Sequence, residues 1–173
     1  IAGLLCSAIL SDTLLFRSPT CTAVDKAAAL ELAEIAGVDA ESLAKEMFEA
    51  GSKLKGKTDS EIFYQDFKRF TAGKLTFGVG QITSLNVEEL GKIKERLIEY
   101  IGEARNEQKV DMMFFMMTNI LEQSTELICD GQGAEQLAAL AFHLKEGAKV
   151  VTLPGVVSRK KQLIPALMIA TEQ

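Results

Sequence analysis

The stretch Leu75-Thr76-Phe77-Gly78-Val79-Gly80-Gln81-Ile82-Thr83-Ser84-Leu85, read together with Met112-Met113-Phe114-Phe115-Met116-Met117, decides the fold class. Residues 75–85 alternate large and small side chains, which is the period of a strand, and the glycines weaken its interior or admit a close neighbour. Residues 112–117 are continuously apolar between Asp111 and Thr118, as expected of a central strand covered on both faces. Between the two, Leu90, Ile93, Leu97, Ile101 and Ala104 recur at helical spacing after the capping pair Asn86 and Glu89. Helices alternating with strands imply an α/β layered domain, with a mixed sheet flanked by helices.

Downstream the pattern predicts a short strand near Glu126–Cys129, a helix from about Ala134 to His143, a strand Val150–Leu153 and a terminal helix after Ser158. Upstream, Thr58-Asp59-Ser60-Glu61 is a capping box, expected to open a helix that buries Ile62, Phe63, Phe67 and Phe70 and turns Lys68 partly away. A second box, Thr22-Ala23-Val24-Asp25, precedes Val24, Ala27, Ala28, Leu30, Leu32 and Ile35 at helical spacing until Gly37 ends the run. Asp39 caps a further helix with Leu43, Met47 and Phe48 on one face. The segment Gly51-Ser52-Lys53-Leu54-Lys55-Gly56-Lys57 has no apolar periodicity and reads as a solvated linker, a phosphate-binding lysine run being the alternative. The expected organisation is therefore a domain end at 1–50, a linker at 51–57 and a domain at 58–173.

Composition narrows the function classes. The 173 residues are 47% hydrophobic and 25% charged, with 13 Gly and 3 Pro, which is ordinary globular usage. No apolar run approaches the roughly 18 residues of a membrane span, because Ser7, Ser11 and Asp12 interrupt one stretch and Thr118 and Asn119 another. Residues 1–50 hold three basic and eight acidic side chains, residues 51–57 three lysines, and residues 58–173 thirteen basic and sixteen acidic, for a net charge of −5. So acidic a chain lacks the broad basic face that nucleic acid requires. Cys6, Cys21 and Cys129 stand far apart without a Cys-x-x-Cys pair, so reduced thiols and a cytoplasmic location are expected. The opening Ile1-Ala2-Gly3-Leu4-Leu5-Cys6 has no initiator Met, basic n-region or small-residue cleavage motif, and is expected to be a cut rather than a start.

The chemistry concentrates in Pro154-Gly155-Val156-Val157-Ser158-Arg159-Lys160-Lys161-Gln162-Leu163-Ile164-Pro165. With Ser158 as a helix cap, free backbone N–H groups and three cationic side chains would converge on one anion. Arg supplies a planar two-pronged donor and Lys a compact charge, a combination suited to phosphate oxygens. A solvated Lys/Arg cluster is the alternative.

Two stretches, Ala8-Ile9-Leu10-Ser11-Asp12-Thr13-Leu14-Leu15-Phe16-Arg17-Ser18-Pro19-Thr20-Cys21-Thr22 and Ser158-Arg159-Lys160-Lys161-Gln162, resemble the family II, manganese-dependent inorganic pyrophosphatases of the DHH phosphoesterase superfamily. The 51–57 segment, Asp66-Phe67-Lys68-Arg69-Phe70 and Gly155-Val156-Val157 recur in the same order, so the resemblance covers essentially the whole chain. It implies hydrolysis of pyrophosphate to two phosphates by divalent metals in a cleft between two domains, the metals generating hydroxide and polarising the phosphoryl group. Asp12 aligns with a metal-ligand aspartate. Lys68, Arg159 and Lys160 align with the cations that hold pyrophosphate oxygens, flanked by Ser158 and Lys161. Manganese or cobalt is the implied ion, magnesium being possible too, and the parent is implied to be a homodimer with neither nucleic acid nor membrane as partner.

The chain departs from the family in lacking the Asp-x-Asp, the separate Asp and the Asp-His-His that supply the other metal ligands. Its single histidine, His143, reads as a surface or core residue of an amphipathic helix. One aspartate does not hold two manganese ions. The chain is accordingly expected to be the end of the DHH catalytic domain plus the smaller substrate-clamping α/β domain, inactive without its N-terminal half. Met112–Leu121 and Glu122–Glu126 look closer to the branch with paired CBS domains, which the resemblance then implies for the parent. Another DHH-superfamily phosphoesterase, or a metal-independent phosphate- or nucleotide-binding module, are the rival readings.

Overall fold

A computed structural model describes residues 1–51, 54, 56–85 and 87–172. It resolves into two compact units, Ile1–Lys53 and Leu54–Gln173. The expected linker residues Ser52, Lys53 and Lys55, and the expected cap Asn86, lie outside the described residues. Leu54 is buried, and its N–H donates to Glu89 Oε1 at 3.3 Å.

The first unit is three helices: α1 (Ala2–Asp12), α2 (Ala23–Ala36) and α3 (Ala40–Gly51). Thr22 closes the predicted capping box, its Oγ1 accepting from Asp25 N while the Asp25 carboxylate accepts from Thr22 N at 2.8 Å. The Thr22 hydroxyl, donating to Asp25 Oδ2 at 2.7 Å, and then the Thr22 N–H hold the Asp25 carboxyl below its ordinary range. Gly37 ends α2 at φ 67°, the left-handed conformation that favours glycine. Asp39 Oδ2 accepts from Ser42 N at 2.8 Å at the start of α3. The buried face of α2 differs from the expected stripe: Ala29 and Ala33 pack against Cys6 and Leu10, whereas Val24, Leu30 and Ile35 are exposed. Small residues let α1 and α2 approach closely enough for Cys6 Sγ to reach Ala29 O at 3.4 Å, and that contact, not side-chain size, sets the helix's rotation.

The second unit is a five-stranded sheet in the order β1 (Phe67–Ala72), β2 (Leu75–Ser84), β3 (Met112–Asn119), β4 (Ser124–Asp130), β5 (Val150–Pro154). The β2/β3 pair is parallel and the other three pairs are antiparallel, so the sheet is mixed. The parallel pair is joined by α5 (Val87–Gln108), whose Leu90, Ile93, Leu97, Ile101 and Ala104 are all buried as the spacing predicted. All eight residues of β3 are buried. On one face Met113, Phe115 and Met117 meet α5 and the short helix α4 (Asp59–Phe63); on the other Met112, Phe114 and Met116 meet α6 (Ala134–Ala141) and α7 (Ile164–Ala170).

The helix expected through Phe70 stops at Phe63. Residues 67–72 instead form β1, paired with β2 from Phe67↔Gly80 to Ala72↔Leu75. Phenylalanines three apart share a helix face but fall on opposite faces of a strand, and the reverse turn at Gly73 (φ 60°), which brings 67–72 beside β2, decides for pairing. Phe67 and Phe70 are half-buried on opposite faces of the ribbon; Phe70 stacks on Phe77 at 5.7 Å. The helix expected to reach His143 ends at Ala141, and His143 is exposed with φ 53°.

Gly80 is required by packing, since a Cβ there would stand 2.5 Å from the Phe115 ring and 3.0 Å from Phe63 O. Phe115 is itself fixed against Phe63 at 4.7 Å between ring centroids. Gly80→Ala should lower unfolding free energy by about 1–3 kcal/mol, the usual cost of overpacking, measured as a lowered urea midpoint with an unchanged slope.

Candidate functional site

Asp12 closes α1 in the first unit and is exposed. The same side of α1 carries Ile1, Leu4, Leu5 and Ala8, exposed at helical spacing. Directly after Asp12 the backbone takes three consecutive left-handed residues, Leu14, Leu15 and Phe16, at φ 49°, 51° and 65°. Non-glycine residues there cost of order 1–3 kcal/mol each and persist only where neighbours over-determine them. Thr13 does so: its Oγ1 donates to Ile9 O at 2.7 Å and accepts from Phe16 N at 3.3 Å, while its carbonyl accepts from Ser18 N at 2.8 Å. Leu15 N donates to Leu10 O at 2.9 Å, and Thr20 Oγ1 to Asp12 O at 3.4 Å. The strained turn therefore fixes where Asp12 ends its helix.

Among the described residues no three His, Cys, Asp or Glu side chains cluster as a metal site. Two of the thiols are held in their protonated form by burial, which pushes Cys129 up to about 12 and raises Cys6. Nor, among the described residues, is any helix long and apolar enough to cross a membrane.

In the second unit the cationic string forms a π-helical turn, Arg159–Leu163, between β5 and α7. Ser158 caps it as predicted, Oγ accepting from Lys161 N at 3.2 Å, and Leu163 N reaches back to Ser158 O at 3.2 Å. The expectation of free N–H groups is only partly met. Gln162 turns back, its Oε1 accepting from Val157 N at 2.9 Å and Ser158 N at 3.0 Å and its Nε2 donating to Gly155 O at 2.6 Å. From below, a polar chain crosses the sheet: Gln81 Nε2 to Thr118 Oγ1 (3.4 Å), Thr118 to Thr125 Oγ1 (3.0 Å), and Thr125 to Val156 O (2.6 Å). Since Thr125 gives its hydrogen to Val156, Thr118 donates to Thr125. The 155–158 loop is thus held from both ends.

Arg159 does not lie on the surface with its neighbours. Its side chain is 8% exposed, and its guanidinium donates from Nη1 to Asp66 O at 2.7 Å and Val79 O at 3.2 Å and from Nη2 to Asp66 Oδ1 at 2.6 Å. Lys68 pairs across the ribbon with Val79, so the structure brings Lys68 and Arg159 to one place. Alternation puts Lys68 on the face of Phe70, Phe77 and Val79, against which Leu163 and α7 pack, and Arg69 on the other. Lys68, Lys160 and Lys161 are exposed and have no ion-pair partner among the described residues.

Sequence reasoning singled out Lys68 and Ser158–Lys161 but gave no role to Asp66, Gln162 or Thr125. Gln162 stands inside one of the two stretches quoted for the resemblance and Asp66 inside the 66–70 segment that recurs with them; what was missing was any signal that residues 93 apart meet.

The DHHA2 domain profile matches residues 45–170. The chain is 42% identical over 167 residues to the manganese-dependent inorganic pyrophosphatase of Bacillus subtilis, covering 96% of this chain and 54% of that protein. It is 43% identical over 166 residues to the cobalt-dependent inorganic pyrophosphatase of Clostridium perfringens, covering 96% of this chain and 30% of that one. A crystal structure from Methanococcus jannaschii, assigned as a family II inorganic pyrophosphatase, superposes with TM-score 0.87 at 37% identity, covering 99% of this chain and 56% of that. The chain spans about half the length of the first of these relatives and of the solved structure, and under a third of the second.

Gln162→Ala leaves two loop N–H groups without their acceptor. It should cost about 1–3 kcal/mol of stability and speed amide hydrogen exchange at Val157 and Ser158 while leaving exchange in β3 unchanged.

Proposed function

The chain belongs to the DHHA2 domain family, and on that footing we propose that it is the substrate-clamping part of an enzyme that hydrolyses inorganic pyrophosphate. The observation that supports this most is the placement of Arg159, Lys68 and the Ser158–Lys161 turn together on one sheet face. In the proposed layout residues 1–50 complete a catalytic domain, 51–57 connect, and 58–173 bind the substrate. Relatives named as manganese- and cobalt-dependent pyrophosphatases support pyrophosphate as substrate and such an ion as cofactor.

The described residues do not by themselves fit the metal, because Asp12 belongs to no group of three or more His, Cys, Asp or Glu side chains among them. Its ion would be held mainly by the part of the relatives' length that this chain does not span. The exposed apolar side of α1 that ends at Asp12 supports the same reading, since a face of Ile1, Leu4 and Leu5 is stable when covered.

What this chain's own residues contribute is anion binding. Arg159 presents fixed donors, Lys68, Lys160 and Lys161 supply mobile charge, and the Ser158 hydroxyl hydrogen is left to donate because its oxygen serves the cap. Cations aimed at phosphate oxygens lower the barrier by neutralising charge on the transferred and leaving groups.

The 173 residues alone should give no steady phosphate release from pyrophosphate with manganese, whereas the full-length protein containing them should. In that protein Arg159→Ala should reduce turnover at least about tenfold, from the roughly 1.5–3 kcal/mol of a charged hydrogen bond. Phosphate-release kinetics check both, and unchanged turnover in Arg159→Ala would return the cluster to a solvated face.

A further inference from the structure

The guanidinium of Arg159 has five N–H donors, and the protein consumes three. Nη1 spends both hydrogens, on Asp66 O and Val79 O, and Nη2 spends one on Asp66 Oδ1. The two bonds to Asp66 use the end-on fork between Nη1 and Nη2. The hydrogens left over are Nε–H and the second on Nη2, which run parallel along one edge of the plane; they have no acceptor among the described residues. That edge is the two-pronged geometry that matches two oxygens of a phosphate.

We propose that Asp66 is a positioning residue for Arg159: it grips the end of the guanidinium so that the Nε/Nη2 edge is presented to the substrate's phosphate oxygens. The inference rests on the pyrophosphatase reading and deepens it. Asp66 is suited to the task because its backbone is itself fixed. Its carbonyl accepts from Gln81 N at 3.0 Å as well as from Arg159, at the entrance to the β1/β2 ribbon. The gripping carboxylate is half-exposed and the arginine side chain 8% exposed, yet Nε is not among the described polar atoms that are both fully buried and without a partner, so the unpaired edge keeps access to solvent. Asp66 does not touch the anion; carboxylate beside phosphate would repel it, and the shared guanidinium spaces them apart.

A double-mutant cycle in the full-length manganese-loaded protein tests this. Asp66→Ala should lower kcat/KM for pyrophosphate about tenfold, comparably to a misplaced charged contact. Asp66→Asn, which keeps an Oδ1 acceptor in place, should recover activity to within about threefold of wild type. In an Arg159→Ala background Asp66→Ala should have less than about a twofold further effect. Thermal unfolding of each variant, and phosphate release per folded protein, separate activity from folding. Additive losses in the two backgrounds, an Asn variant as poor as Ala, or an Asp66→Ala that binds pyrophosphate more tightly each overturn the proposal; the last would make Asp66 a competitor for Arg159. Failure of the underlying reading looks different, because then Arg159→Ala alone leaves phosphate release unchanged.

Discussion

Everything in the second unit follows from β3, a strand with no face to give to water. Its Met112–Asn119 run is buried throughout, so both sides of the sheet must be covered. One cover, α5, comes from the parallel crossover that β2 and β3 require in any case. The other must come from later in the chain, and α6 alone is too short to supply it. The chain therefore turns after β5 and returns as α7, burying Leu163, Leu167 and Ala170. The cationic string sits at that turn, so the place of the site is a consequence of covering the sheet.

A second constraint operates at the same point. A guanidinium cannot enter a nearly enclosed position without acceptors, since an uncompensated buried charge is prohibitively costly. The β1/β2 ribbon meets that need with the carbonyls of Asp66 and Val79, each able to accept a second hydrogen bond beyond any in its ladder. Gln162 and Thr125 then hold the loop that launches Arg159, from the turn and from the strands. A π-helical turn wedges one extra residue into the helix start, and such turns recur at functional positions because they re-aim side chains.

The elements that could be read from sequence were those whose pattern admits one period. The five-residue stripe of α5 and the unbroken apolar run of β3 are of that kind, as are the boxes at Thr22 and Thr58, where a side chain satisfies a backbone group three residues away. Residues 67–72 were misread because Phe67 and Phe70 suit a helix until a neighbouring strand is available. The rotation of α2 was misread because alanines at 29 and 33 gain more from close helix approach than Val24 and Ile35 gain from local burial. At the site the cations were legible as a motif, but their division of labour was not. Nothing in a string of Arg159, Lys160 and Lys161 says that the first turns inward and the others outward; that depends on acceptors 80 and 93 positions upstream.

That division has an energetic meaning. A lysine on the surface carries close to 2 kcal/mol of rotamer entropy, part of which is lost whenever it settles on a ligand. Arg159 has already lost its freedom on folding, through three hydrogen bonds and burial of its stem. On the pyrophosphatase reading, the anion would meet one rigid, bidentate donor edge and several mobile charges. The rigid donor would fix where the phosphate lies without a further ordering cost, the general advantage of preorganisation. Lys68, Lys160 and Lys161, exposed and without an ion-pair partner among the described residues, would be able to follow charge between the transferred and leaving groups. On that reading, one anchored arginine among free lysines is an arrangement in which position and charge neutralisation are supplied by different residues.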